Sequence, residues 1–352
     1  MRNRNSSVEL LRIFSMLTIV GVHYFEACQT EKLLRVGGGE LSYELYELIN
    51  LLFSYGVNIF VIITGYYMVS RTEVNLRKAF DLLWQIAFYG CILFGVSIVT
   101  GLQNFSLPGL VKSIFPILFN LRWFVKAYII LYLFIPFINV AINNISRIQH
   151  KSLIIILVVL FSIWPFILPY PPMDDYGFSY NHFVVLYVIA AYLRKYVTEI
   201  QTKTCCTYFI VSTILLYGLL HIDTQIPILS TMKVMALAHN SPIKLVACFS
   251  LFLMFAKVEW HISWVNTIAV SAFAVYVIHG DFNTMHWMFT SLLRGDSYQY
   301  SWLWLPHLVV TLLLIYVSCF AIDYVYRNSI GKCFNWLFDK MSFLNFKIVA
   351  VK

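Results

Sequence analysis

Ten stretches of helix length, each dominated by apolar residues, recur along the chain at roughly 9–28, 46–69, 79–101, 122–142, 152–169, 182–197, 205–221, 242–257, 263–284 and 302–325. A helix needs about 20 apolar residues to cross a bilayer. Inside hydrocarbon the backbone polar groups must be satisfied within the segment, so such runs are read as helices. Composition agrees, because 60% of the 352 residues are hydrophobic and only 12% are charged, with a mean hydropathy of +0.75. A soluble surface needs about twice that charge. The expectation is an all-α polytopic membrane protein with about ten transmembrane helices. Residues 1–352 would form one integral membrane domain, with short loops and a short cytoplasmic tail at about 327–352.

Cationic loops orient a polytopic protein with the basic side in the cytoplasm. With the N-terminus inside, 17 of the 25 Lys and Arg fall on the cytoplasmic side, among them Arg12, Arg71, Arg77, Lys78 and Arg194, and eight fall outside. Both termini are therefore expected in the cytoplasm. The charged start and apolar run resemble a signal peptide, but Arg12 and His23 lie within the run and no cleavage site follows, so it is read as a retained first span.

The net charge of +8 has a sufficient explanation in this topology, and no basic patch is interleaved with groove-reading or base-stacking elements. No nucleic acid partner is expected; the lipid bilayer is. Seven cysteines, mostly in or beside apolar runs, read as small core residues and not as a disulfide framework. The nine histidines show no ligand spacing with Cys, Asp or Glu, so no metal is expected. Five outer segments of modest length are left to meet an extracytoplasmic ligand. One of them, Tyr170 to Tyr176, flanks Asp174 and Asp175 with aromatics, as a sugar site would, although aromatic residues gather at bilayer interfaces in any case.

The first span carries the strongest chemical signal. Arg12 and His23 are eleven residues apart, three turns and about 20° of helix, so both point to one face about 16 Å apart along the axis. Arg12 falls near the cytoplasmic entrance and His23 in the outer half of the membrane, and Glu9, one turn from Arg12, is placed to pair with it. Ionisable groups at such depth usually face a cavity or the bundle interior. Taken singly, Arg12 also fits a snorkelling anchor and His23 a residue bonding between helices.

A second constellation ends the second span, Val57-Asn58-Ile59-Phe60 through Thr64-Gly65-Tyr66, followed by Arg71, Arg77 and Lys78. Gly65 permits close backbone approach or a local break. Arg12 with Arg71, Arg77 and Lys78 would suit a phosphate-rich ligand, since Arg binds phosphate bidentately, while Arg77 and Lys78 serve equally as topology signals. Leu121-Arg122-Trp123-Phe124 opens the fourth span. Tyr276-Val277-Ile278-His279 lies in the ninth, with His279 also in the outer half and able to face His23.

These four motifs, in this order over about residues 9–279, resemble the acyltransferase family 3 integral membrane proteins, whose first span carries the Arg and His spacing of Arg12 and His23. Thr64 stands where serine is commoner, and Ile59 where an aromatic is common. Without an appended extracytoplasmic hydrolase-like domain, the sequence resembles the stand-alone members. The resemblance implies a bacterial multi-pass O-acyltransferase that takes acetyl from acetyl-CoA and modifies a cell-surface polysaccharide or lipid-linked glycan.

On that basis Arg12, Arg71, Arg77 and Lys78 would hold the phosphates of cytoplasmic acetyl-CoA, and its extended arm would bring the thioester to His23 as general base, or as the site of a covalent acetyl-histidine. Tyr66 or His279 would steady the oxyanion, with Glu9, Gly65 and Trp123 in support. A transporter or flippase of a lipid-linked glycan, or a polysaccharide polymerase, is the rival. Neither the repeats of the former nor the large outer loop of the latter is visible in the sequence.

Overall fold

A computed structural model describes residues 5–168, 175–197, 199–222 and 225–350. The structure is 76% helical with almost no sheet. All ten apolar stretches are helical over most of their length. They are α1 (Ser6–Ala27), α2 and α3 (Glu40–Phe53 and Gly56–Met68), α4 (Leu76–Val99), α5 (Trp123–Asn143), α6 (Arg147–Ile167), α7 (Tyr180–Tyr196), α8 (Thr202–Leu220), α9 (Pro242–Ala256), α10 (Ser263–His279) and α11 (Trp304–Asn328). Seven spans are long and apolar enough to cross a membrane by length and composition, α2 and α3 counting together, while α7 has 17 residues and α9 and α10 are shorter apolar helices.

Helix α1 starts where Asn5, in extended backbone, accepts a hydrogen bond from the amide of Ser7, with Glu9 in the first turn. It is the most enclosed of the long spans, 61% of its apolar window being buried, and packs against α3, α10 and α11. Ser6, Ser7, Glu9, Ser15 and Thr18 are buried in protein, while Glu26 is exposed at the outer end.

The second span is longer than foreseen. It runs over 29 residues from Glu40 to Met68 with a break at Ser54 and Tyr55, about 43 Å if straight against a hydrocarbon core of about 30 Å, so the start of α2 projects outward. Glycine sets the packing of α3. A Cβ on Gly56 would stand 2.3 Å from Thr18 Oγ1 and 2.6 Å from the Ser15 carbonyl on α1. One on Gly65 would stand 2.9 Å from Ala190 Cβ and Tyr187 Cα on α7. Gly65 therefore serves close approach, and the helix runs through it unbroken.

The two ends of the chain meet one face of the bundle. The Ser6 amide donates to the Trp260 carbonyl, and Arg327 donates to Ser271 Oγ at the turn midway along α10. After α11 the chain folds back as α12 (Ile330–Asp339), whose Phe334 packs on Trp84 of α4 at 4.4 Å between ring centroids. A final strand, β2 (Lys347–Val349), pairs antiparallel with β1 (Glu73–Asn75), so the tail braces the segment between Arg71 and the start of α4, where Arg77 lies.

Candidate active site

Helix α1 carries Arg12 at one end and His23 three turns further on. Near the basic face of the bundle, Arg12 Nη1 lies 2.8 Å from Glu9 Oε2, within reach of the carboxylate that the sequence offered it. Deeper in, His23 Nδ1 lies 2.9 Å from His279 Nε2, with ring centroids 5.0 Å apart. Helices α1 and α10 thus bring together two histidines that are 256 residues apart in sequence.

The partners fix the protons of this pair. His279 Nδ1 lies 2.5 Å from the Val275 carbonyl, which only accepts, so Nδ1 carries the hydrogen. In the neutral ring Nε2 is then an acceptor, and the His23 Nδ1–H donates to it. That leaves His23 Nε2 as a lone pair with no protein partner among the described residues. A backbone carbonyl orients one imidazole, which orients the next, and the second ends in a base.

Two residues that the sequence reading did not nominate build the wall of this site. Arg122, just before α5, is buried, and its guanidinium donates to the Gly280 carbonyl at 2.7 Å, the Val277 carbonyl at 3.0 Å and Asp281 Oδ2 at 3.2 Å. It thereby closes the end of α10, whose free carbonyls need donors, and lies 5.8 Å from the Tyr276 ring centroid. Gly280 is packed so tightly that an added Cβ would stand 3.2 Å from His23 Cε1 and 3.4 Å from Arg122 Nη1. Asp281 is 1% exposed and faces Arg122. The signal for Arg122 was present in the sequence as an Arg at the edge of an apolar span. Asp281, two residues after His279, gave none.

The other nominated residues are spread over the bundle. Tyr66, the alternative to His279 for steadying the oxyanion, lies toward the basic end of α3. Because α3 runs toward the basic face, Tyr66 lies two turns below Phe60, its ring packs on Phe252 at 5.0 Å, and its hydroxyl lies 3.5 Å from Arg194 Nη1. It has no described contact with either histidine. Arg12 and Arg194 are both within electrostatic reach of Tyr67, which makes Arg194 a second cation at this end. Arg71 is exposed, and its carbonyl accepts from Asn139. Arg77 is held by Asp81 at 2.6 Å, Asp339 at 3.2 Å and Asn335 at 3.1 Å, and Lys78 is exposed.

Trp123 stands at the opposite end, against Phe178 at 4.6 Å and His239 at 5.6 Å. The aromatic segment proposed for sugar contact lies outside the described residues from Tyr170 to Asp174. Its remainder, Asp175 and Tyr176, begins a turn over His239, whose amide donates to the Tyr176 carbonyl. A cavity of about 640 Å³ opens at the outer end of α1 between Glu26, Lys32, Arg35 and Asn50, and neither His23 nor His279 lines it.

Glu44, Glu47 and His221 each bring one potential ligand atom within 4.8 Å of the others. His221 Nε2 lies 2.6 Å from Glu44 and 3.2 Å from Glu47, and Nδ1 donates to the Tyr217 carbonyl. The Tyr217 carbonyl, Glu44 and Glu47 raise the imidazole above its ordinary value.

Searches of curated proteins and of solved structures gave no significant match. A comparison with family profiles matches residues 5–324 to the acyltransferase family 3, described as an acyltransferase domain. That match spans Arg12, His23, Arg122, His279 and Asp281 together, and the chain belongs to the acyltransferase family 3 of multi-pass membrane proteins.

Proposed function

We propose that this acyltransferase is an O-acetyltransferase of the bacterial plasma membrane, moving acetyl from cytoplasmic acetyl-CoA to a hydroxyl of a cell-surface polysaccharide or lipid-linked glycan. The observation that carries the reading is the relay from the Val275 carbonyl through His279 to His23, which leaves an oriented base about 16 Å of helix above Arg12. The phosphates of acetyl-CoA would meet Arg12, with Arg71, Arg194 and Lys78 around the same opening. Arg77 would join only by giving up a carboxylate. The pantetheine arm would then reach inward along α1.

In the transfer, His23 Nε2 takes the proton of the acceptor hydroxyl as that oxygen attacks the thioester carbonyl. The carbon–sulfur bond breaks as the tetrahedral intermediate collapses, and the CoA thiolate leaves with the proton from the imidazolium. His279 holds the ring and shares the transient charge. Arg122, beside His23 across Gly280, supplies positive charge next to the developing oxyanion.

Calorimetry on protein in nanodiscs tests the division of labour. Acetyl-CoA should bind wild type and His23→Ala alike and lose at least about tenfold in affinity with Arg12→Ala. Acetyl transfer should fall by about 10²–10⁴ in His23→Ala. Folded wild-type protein that ignores acetyl-CoA would overturn the reading and direct attention to glycan transport.

A further inference from the structure

The acyl-transfer chemistry leaves a second buried polar cluster unused, at the ends of α3, α7 and α9 nearest Trp123. Asn58 Nδ2 donates to the His239 carbonyl at 2.8 Å, so its Oδ1 must accept from His182 Nε2 at 3.0 Å. His182 Nδ1 is therefore a lone pair. It has no partner, and neither do His239 Nδ1, Asn240 Oδ1 or Ser241 Oγ, although all four atoms are buried. His182, Asn240 and Ser241 are 2%, 2% and 0% exposed. Ser241 occupies the N-cap of α9, where serine ordinarily bonds the first-turn amides, and makes no such bond. One turn on, the fully buried Lys244 donates to the Leu237 carbonyl and has no carboxylate partner among the described residues. Burial together with Lys244 and His182 holds the His239 imidazole well below its ordinary value, so three basic groups converge here.

Buried polar atoms in folded proteins almost always have partners, and several orphans gathered at one helix end point to a ligand. The set has two sides. Ser241 Oγ, the Lys244 amine and the start of α9 are donors suited to an oxyanion. His182 Nδ1 and Asn240 Oδ1 are acceptors suited to hydroxyls. An aromatic wall adjoins them, with Trp123 and Phe178 against His239. From Trp123 the rings continue through Phe124 at 6.0 Å and Tyr276 at 5.5 Å to His23 at 6.5 Å. The turn Asp175–Phe178 covers the cluster, and Gly177, at φ +82°, sits so close that a Cβ would stand 2.7 Å from the Asn240 amide nitrogen.

We propose that this cluster binds an oxyanion carried by the acceptor glycan, a uronic carboxylate or a sugar phosphate, on a part of the acceptor removed from the hydroxyl that is acylated. Neighbouring sugar hydroxyls donate to His182 and Asn240, the ring packs on Trp123, and the Asp175–Phe178 turn lifts for entry. The proposal rests on the acyl-transfer reading and adds a selectivity for acidic acceptors.

The test measures binding of glucuronate, glucose 1-phosphate and glucose to the full-length chain in nanodiscs, with acetyl-CoA binding followed in parallel. One of the two acidic sugars should bind at least about tenfold tighter than glucose, glucuronate indicating a carboxylate ligand and glucose 1-phosphate a phosphate. Lys244→Met, which keeps an unbranched chain of similar length, and Ser241→Ala, which removes one oxygen, should each erase that preference. Equal binding of the three sugars, binding of none, or an acid preference unchanged in Lys244→Met would overturn the proposal while acetyl-CoA binding persists. Loss of acetyl-CoA binding in wild type would instead strike the acyl-transfer reading beneath it.

Discussion

The histidine pair and the Lys244 cluster lie at the two ends of one row of aromatic rings and treat buried polar groups in opposite ways. Around His23, His279 and Arg122 the donors meet acceptors of the protein itself, down to the Val275, Val277 and Gly280 carbonyls, with Arg122 Nε the one buried exception among them. Around Lys244 four side-chain atoms have no partner, and the amine has no counter-charge among the described residues. The first arrangement holds its groups in one geometry before any substrate arrives, as a reacting centre needs. The second is incomplete until something brings the missing partners, as a binding site is. On the proposed reading, the comparison sets a site built for chemistry against one built for selection.

The largest effect that would break this contrast is on stability. Arg122→Met orphans Asp281 and two carbonyls, and breaking a buried pair of this kind costs about 3–5 kcal/mol. Replacing Asp281 by Leu as well should restore the share due to the stranded carboxylate, but not that due to the Gly280 and Val277 carbonyls. Lys244→Met removes a buried amine that has one carbonyl partner, and its melting temperature without ligand should equal or exceed that of wild type. Thermal unfolding of both variants in the same detergent checks the opposite signs. A loss in Lys244→Met as deep as that in Arg122→Met would mean that the amine is already well satisfied.

A smaller effect sharpens the catalytic half. His279→Phe keeps an aromatic ring but gives His23 Nδ1–H nothing to donate to. One net hydrogen bond of orientation is worth about tenfold in rate. The turnover number should fall by roughly that factor, with acetyl-CoA affinity unchanged. A loss equal to that of His23→Ala would make His279 a direct participant, and no loss at all would remove the relay.

Much of this site was legible in one span and little of it across spans. Arg12, Glu9 and His23 share a helix, where spacing alone fixes who faces whom, and α1 is continuous from Ser6 to Ala27. His279 could be nominated because an ionisable residue in an apolar run is costly anywhere. Tyr66 was nominated from its motif alone, and the direction of α3 places it toward the basic end of that helix. Arg122 and Asp281 pair over 159 residues through loops at the ends of spans, and no periodicity reports such a contact. The Lys244 cluster was invisible on the same grounds. Asn58, His182, His239 and Lys244 come from three helices and a loop, and each alone passes for an ordinary polar residue near an interface. The ten helices themselves were plain, since hydrocarbon leaves the backbone so few alternatives, whereas the break at Ser54 and Tyr55 carried no Pro to announce it.

The smallest effect concerns a third polar group, at the outer ends of α2 and α8, that belongs to neither class. His221 sits between Glu44 and Glu47, with Nδ1 on the Tyr217 carbonyl, while the Tyr217 hydroxyl donates to Glu44 and the Tyr43 hydroxyl to Glu47. Its imidazole is raised above the ordinary value by these partners, so the folded protein holds the proton more tightly than the unfolded chain. The stabilisation is fully present below the unfolded pKa of about 6.5 and is lost as pH rises through the folded value. With the His221 side chain 35% exposed, solvent screening limits the contribution to under about 1 kcal/mol. Melting temperatures of wild type and His221→Gln should therefore converge as pH is raised from mildly acidic to alkaline, with wild type the more stable at the acid end. A divalent cation seated among the same three side chains would reverse the trend, because a metal requires the imidazole deprotonated. A gap that widens with pH, and closes when chelator is added, would show that this group waits for a ligand as the Lys244 cluster does.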